Sequence, residues 1–186
     1  DAYWVCAYAN NQWNVAADVP VDPKASSFRR AIDISEGTVS VLDKAAMCYT
    51  RIWCCYEVWV STSDRVRSPD APRYLYDMYT VNPKGDYVGI MDGSAKGVVS
   101  AKRQEVRSAR KFPIELCRRA LNLCLEKADA SDEKDKRHIL NSIVGAKKLG
   151  AKPPASHEEY DKLNGNLHGR LAAAVWRFAI EAGEDR

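Results

Sequence analysis

Hydrophobic and polar positions follow different periods along this chain, and each period predicts a different element. Near the start, Tyr3-Trp4-Val5-Cys6-Ala7-Tyr8-Ala9 is an uncharged run rich in aromatic and β-branched residues, the pattern of an interior strand covered on both faces. Asn10-Asn11-Gln12 ends it in amides, and a loop carrying Pro20 and Pro23 leads to Ser26-Ser27. A loop of that length predicts a functional or mobile segment rather than a plain connector. Phe28, Ala31, Ile32 and Ser35 then recur at helical spacing, with Gly37 as the stop. Thr38-Val39-Ser40-Val41-Leu42-Asp43 is a β-branched run that returns the chain to a sheet, and strand, helix, strand predicts a parallel crossover.

From Tyr49 to Ser61 the period is lost, because apolar residues fill nearly every position. Propensity leaves helix and strand both open there. Tyr74 to Val81 and Tyr87 to Met91 read as two more strands, the second closed by Asp92-Gly93. Beyond Pro113 the spacing is helical. Leu116, Cys117, Ala120, Leu121, Cys124 and Leu125 form one stripe of a helix ending near Ser131. Asp132 to Val144 predicts a second helix with Ile139, Leu140 and Ile143 inward and Gly145 as its stop. Ser156-His157-Glu158-Glu159 has the form of a capping box, and it opens a longer helix holding Tyr160, Leu163, Leu167, Leu171, Ala174, Val175 and Phe178.

Composition sharpens this picture without redirecting it. The chain has 186 residues, 46% hydrophobic and 28% charged, which predicts one folded domain over 1–186 with the helical portion 113–186 packed on it. A net charge of +3 argues against nucleic acid as a partner, since such domains carry a dense basic face. Lys102, Arg103, Arg107, Arg110 and Lys111 form a local basic cluster, read as a solvated linker or a contact for an acidic partner. Six cysteines sit in apolar segments with no Cys-x-x-Cys pair, so free thiols in a reducing compartment are expected and a metal site is not. No run is long and apolar enough to cross a bilayer and no leader opens the chain, so a cytoplasmic location is expected. His138, His157 and His168 lack ligand spacing, and Gly85, Gly89, Gly93 and Gly97 do not make a dinucleotide phosphate loop.

Chemistry concentrates in Arg51-Ile52-Trp53-Cys54-Cys55-Tyr56-Glu57. On a helix, Trp53 and Glu57 share a face four residues apart. A carboxylate among Ile52, Cys54, Val58, Trp59 and Val60 has to be paired, face a cleft, or take up a proton. A salt bridge to Arg51 or Arg29 is the bland account of it.

Trp53-Cys54-x-x-Glu57, preceded by the strand Thr38 to Asp43, resembles the third-helix motif of Toll/interleukin-1 receptor (TIR) domains, and the glutamate matches residue for residue. The opening run with Asn11-Gln12 is similar, more loosely, to a stretch of heterokaryon-incompatibility domains, although Cys6 and Tyr8 stand where that pattern carries an acid and a cysteine. Together the likeness covers roughly the first ninety residues by pattern, and it places the first strand and helix of such a domain before Asp1. The resemblance implies a flavodoxin-like parallel sheet flanked by helices, with an extra carboxyl-terminal helical layer. It selects helix for Tyr49 to Ser61. It also implies cleavage of the nicotinamide-ribose bond of NAD+ in a signalling or defence role, with Glu57 catalytic, NAD+ as substrate and no further cofactor. Trp53, Asn11, Gln12, Arg29 and Arg30 are the residues expected to bind the nucleotide, the two arginines at its pyrophosphate. The competing expectation is a non-catalytic module that self-associates, or a structural subunit of a larger assembly, in which Glu57 is structural.

Overall fold

The computed structural model describes residues 2–9, 13, 20–63, 74–81, 85, 87–91, 113–122 and 124–184. Three strands, β1 (Gly37–Leu42), β2 (Leu75–Val81) and β3 (Tyr87–Met91), form one sheet in the order β1-β2-β3. The helices among the described residues are α1 (Cys6–Ala9), α2 (Ser27–Ile34), α3 (Ile52–Thr62), α4 (Ile114–Ala120), α5 (Glu133–Ile143) and α6 (Glu158–Glu184). The protein is therefore a mixed α/β structure.

The parallel crossover expected from Tyr3–Ala9 through the Phe28 helix to β1 does not form, since Cys6–Ala9 is a helical turn; a parallel pair is made instead by β1 and β2, from Gly37 against Leu75 to Leu42 against Thr80, with α3 between them in sequence. Gly37 is required by that register, because a Cβ there would lie 2.7 Å from both Cβ and the carbonyl oxygen of Leu75. β3 runs antiparallel to β2, which corrects the expectation of a wholly parallel sheet. The five residues between Val81 and Tyr87 are too few for a parallel return, which needs a dozen or more, and suffice for a hairpin.

Two other expectations are overturned. Tyr3 to Ala9 is outside the described sheet. Its end is a single helical turn in which the Val5 carbonyl accepts from the amides of Tyr8 and Ala9, both at 2.9 Å, and Tyr8 is exposed. Aromatic and β-branched residues fit a half-buried sheet surface rather than dictate an extended backbone; lacking a strand neighbour, this run packs Trp4 edge-on against Phe28, ring centroids 5.5 Å apart. The helix expected from Pro113 to Ser131 breaks after Ala120 and resumes as a 3-10 turn, Leu125–Lys127. The break has side-chain partners: the Asn122 amide donates to the Arg118 carbonyl at 2.9 Å, and the Leu125 amide donates to Asn164 Oδ1 on α6 at 2.9 Å.

α5 and α6 follow the sequence closely. Ile139, Leu140 and Ile143 are buried, as are Tyr160, Leu163, Leu167 and Leu171, and Gly145 at φ 73° takes the left-handed conformation that ends α5. At the start of α6 the capping acceptor is His157 Nδ1, which takes the Glu159 amide at 3.2 Å, in place of the Ser156 box. The core lies on one face of the sheet, where Leu42, Tyr76, Met78 and Ile90 are buried, α3 packs on β2 and α6 on β3, and α5 packs on α3. On the other face Val39, Val41, Leu75 and Val81 are exposed.

Candidate active site on the central helix

α3 is the element whose sequence was ambiguous, and burial explains why. Ile52, Cys55, Tyr56, Val58, Trp59, Val60 and Ser61 are all buried, so the helix has no polar stripe to reveal its period. Its start is fixed from a distance. Arg51 bridges Asp129: the Ile52 amide donates to the Asp129 carbonyl at 2.8 Å, and the Asp129 amide donates to the Thr50 carbonyl at 2.7 Å. Without a side-chain cap at Arg51, this backbone clamp satisfies one of the orphan amides of the helix start.

The turn that feeds α3 is tight. Asp43, just past β1, accepts from the amides of Ala45 and Met47 at 3.2 and 2.8 Å, and Ala46 sits at φ 54°, ψ 37°. That left-handed conformation costs a non-glycine residue about 1 kcal/mol, and strain of this kind gathers at functional sites.

Between α3 and the sheet runs a polar ladder. Ser61 Oγ donates to Thr38 Oγ1 at 2.8 Å, and Thr38 is bonded to the Tyr74 hydroxyl at 2.8 Å. Further along β1, Ser40 shares a hydrogen bond of 2.8 Å with the Tyr76 hydroxyl, which is also 3.0 Å from that of Tyr49. Arg170 on α6 stands over the Tyr76 ring, 5.8 Å from its centroid.

Glu57 lies one turn before Ser61 on α3 and one turn after Trp53. It is partly buried and makes no hydrogen bond or ion pair with the described residues. Burial pushes its carboxyl up to about 7, against a smaller lowering by the positive charge of Arg51. The expected salt bridge is thus not formed: Arg51 acts on Glu57 from beyond contact, and Arg29 pairs with Asp33 at 2.8 Å. The Cys48 thiol, pushed up to about 12 mainly by its burial, is also influenced by Cys54, Asp43 and Glu57. Asp43, just past β1, and Cys54 and Glu57 on α3 are thus near enough for their charges to act on the Cys48 thiol. As protonated thiols, Cys48 and Cys55 are poor nucleophiles.

The remaining expected residues separate. Trp53 is built into the packing: it stacks on Phe28 with centroids 5.0 Å apart and planes 18° apart, meets Tyr56 edge-on, and its Nε1 donates to Asp135 Oδ2 on α5 at 2.9 Å. Arg29 is held by Asp33, and the Arg30 guanidinium donates to the Ala25 carbonyl at 3.3 Å. Neither arginine is brought to Glu57 by these contacts. Asn11 and Gln12 lie outside the described residues. Sequence reasoning missed Asp129 and Asp135, which anchor the start of α3 from the helical half, and no local pattern announces such contacts. It also left Cys48 out of the site, although its place shortly after a strand ending in an acid was a usable signal.

No protein family, curated protein or solved structure matches the chain.

Proposed function

We propose that the chain is a TIR-like NAD+ glycohydrolase in which Glu57 is the catalytic carboxylate. The observation that carries this reading is a glutamate on a central helix, partly buried and uncommitted to any described partner, with a carboxyl that titrates near neutrality. A group whose environment has moved its protonation into the working pH range, and whose charge is not spent on a neighbour, has the properties of an acid-base residue. The resemblance of Trp53-Cys54-x-x-Glu57 to the TIR helix motif supports the same assignment.

In the reaction the bond between C1′ of the ribose and the nicotinamide nitrogen breaks, and its electron pair leaves with the neutral nicotinamide. The ribose passes through an oxocarbenium-like state that the Glu57 carboxylate stabilises, as carboxylates do in glycosidases. Water adds to C1′ and gives up a proton, which Glu57 accepts and releases to solvent. The products are nicotinamide, ADP-ribose and a proton. Purified protein is expected to release nicotinamide from NAD+, faster as the pH rises through about 7 and Glu57 ionises. Glu57→Gln is expected to reduce release by at least 100-fold, and undiminished turnover in that variant removes Glu57 from the mechanism.

A second reading, a non-catalytic module that self-associates, is favoured by one observation: Val39, Val41, Leu75 and Val81 expose apolar surface on a single face of the sheet. It requires that no nicotinamide appear at any protein concentration and that Val39→Lys change the size of the species on a sizing column.

A further inference from the structure

β1 is an edge of the sheet: it pairs with β2 on one side, and among the described residues no strand pairs with its other side. An edge leaves a row of backbone amides and carbonyls open to another strand, and folded proteins ordinarily guard it with a charge, a proline, a bulge or a covering segment. Gly37–Leu42 carries no charge and no proline, and its ladder with β2 runs through without a register shift. Val39 and Val41 are 54% and 64% exposed on one face, while Thr38, Ser40 and Leu42 turn to the other, where Thr38 meets Ser61 of α3 and Leu42 is buried. β1 therefore offers an unguarded edge lined with apolar side chains.

The chain around that edge is complementary to itself. Residues directly opposite in an antiparallel pair lie on the same face, so two copies of β1 related by a two-fold axis at Ser40 set Val39 of each against Val41 of the other. The same register matches the charged flanks. Glu36 and Lys44 are equally far from Ser40 on either side, so the Glu36 end of one copy meets the Lys44 end of the other, twice. Both side chains are exposed, and neither makes an ion pair with the described residues. Both backbones are held in place: the Glu36 carbonyl accepts from the Leu75 amide at 3.0 Å, and the Lys44 carbonyl accepts at 3.1 Å from Arg119 Nη1, which adds a second positive charge at that end. Asp43, the acid beside Lys44, is turned to the Ala45 and Met47 amides. Centred on Val39 instead, the pairing would set Val41 against Gly37 and Glu36 against Leu42, and both matches would be lost. We propose that β1 is a dimerisation strand: it pairs antiparallel with β1 of a second copy of this chain about Ser40, continues the sheet from one chain into the other, and is closed at both ends by Glu36 and Lys44. The pairing is independent of whether Glu57 is catalytic, and it uses the edge of the sheet rather than its open face.

Sedimentation velocity on the full chain is expected to show a concentration-dependent dimer that weakens as salt is raised. Glu36→Lys sets like charges against each other at both ends by symmetry, and is expected to weaken the dimer about tenfold. Lys44→Glu is expected to do the same, and the double reversal Glu36→Lys with Lys44→Glu to restore the parent's strength. Both positions are exposed, so these changes leave helix content as it was. Hydrogen exchange supplies a second readout: backbone amides of Val39 to Val41 that point away from β2 are expected to slow as the concentration rises through the dimer range. A chain that stays monomeric at every concentration overturns the proposal. A dimer indifferent to both single reversals, or one in which those β1 amides exchange at the monomer's rate, overturns it equally, because the contact then lies on another surface.

Discussion

The strand-helix-strand unit from Gly37 to Val81 and the helical half from Ile114 onward obey the same packing rules but differ in what faces water. In the helical half, α5 and α6 bury one side: Ile139, Leu140 and Ile143, then Tyr160, Leu163, Leu167 and Leu171, are covered while intervening Lys134, Arg137, Asp161 and Lys162 are exposed. In the first unit, α3 is covered by the sheet, α2 and α5 and keeps only Trp53, Cys54, Glu57 and Thr62 partly open. A half-buried helix writes its period into its residues, whereas a surrounded one does not. The one charged side chain placed on the surrounded helix is for that reason the informative one, since burying it is costly unless its charge is used. The two regions are also mechanically joined, because Asp129 and Asp135 of the second fix the start of α3 in the first.

That comparison can be broken at its strongest point by emptying the shared core. Ile139 on α5 is fully buried, and Ile139→Ala is expected to cost about 3 kcal/mol. If the two regions form one cooperative unit, chemical unfolding stays a single transition whether followed by tryptophan fluorescence or by helix content. Separate transitions would show that the helical half is an independent layer.

The next effect in size concerns Glu57. The folded chain holds its proton up to about pH 7, whereas the unfolded chain releases it near 4.5. Between those values the folded state binds the extra proton, so this contribution to stability is complete below 4.5 and is lost as pH rises through 7. The loss amounts to at most about 3 kcal/mol. Glu57→Gln is accordingly expected to be more stable than the parent at pH 8 and to lose that advantage at pH 4.5. Equal pH dependence in the two proteins would mean that the carboxyl is well solvated.

A smaller effect tests the link between the regions. Asp135→Ala removes the acceptor of the Trp53 indole and is expected to cost about 1.5 kcal/mol, while Asp135→Asn, which keeps an acceptor oxygen, is expected to cost less than about 0.5. A null effect of both would assign the position of Trp53 to its stacking on Phe28 alone.

Legibility in the sequence follows the same division. Helical spacing located α2, α5 and α6, and β-branched runs located all three strands, because each of these elements has an asymmetric environment. The antiparallel β3 was also readable, in the shortness of the link from Val81 to Tyr87. Tyr3 to Ala9 misled because its composition describes a burial that its neighbours do not provide. Glu57 stood out as an acid in an apolar run. The ion pair of Arg29 with Asp33 did not, since it depends on which partners the fold brings within reach.

The most direct test is the titration of the Glu57 carboxyl carbon by NMR in the folded protein. An inflection near pH 7, displaced further upward in Arg51→Ala, is the result expected of a desolvated carboxyl that no described residue contacts as a counter-ion. An inflection at or below 4.5 would reveal a solvated or ion-paired glutamate and contradict the account.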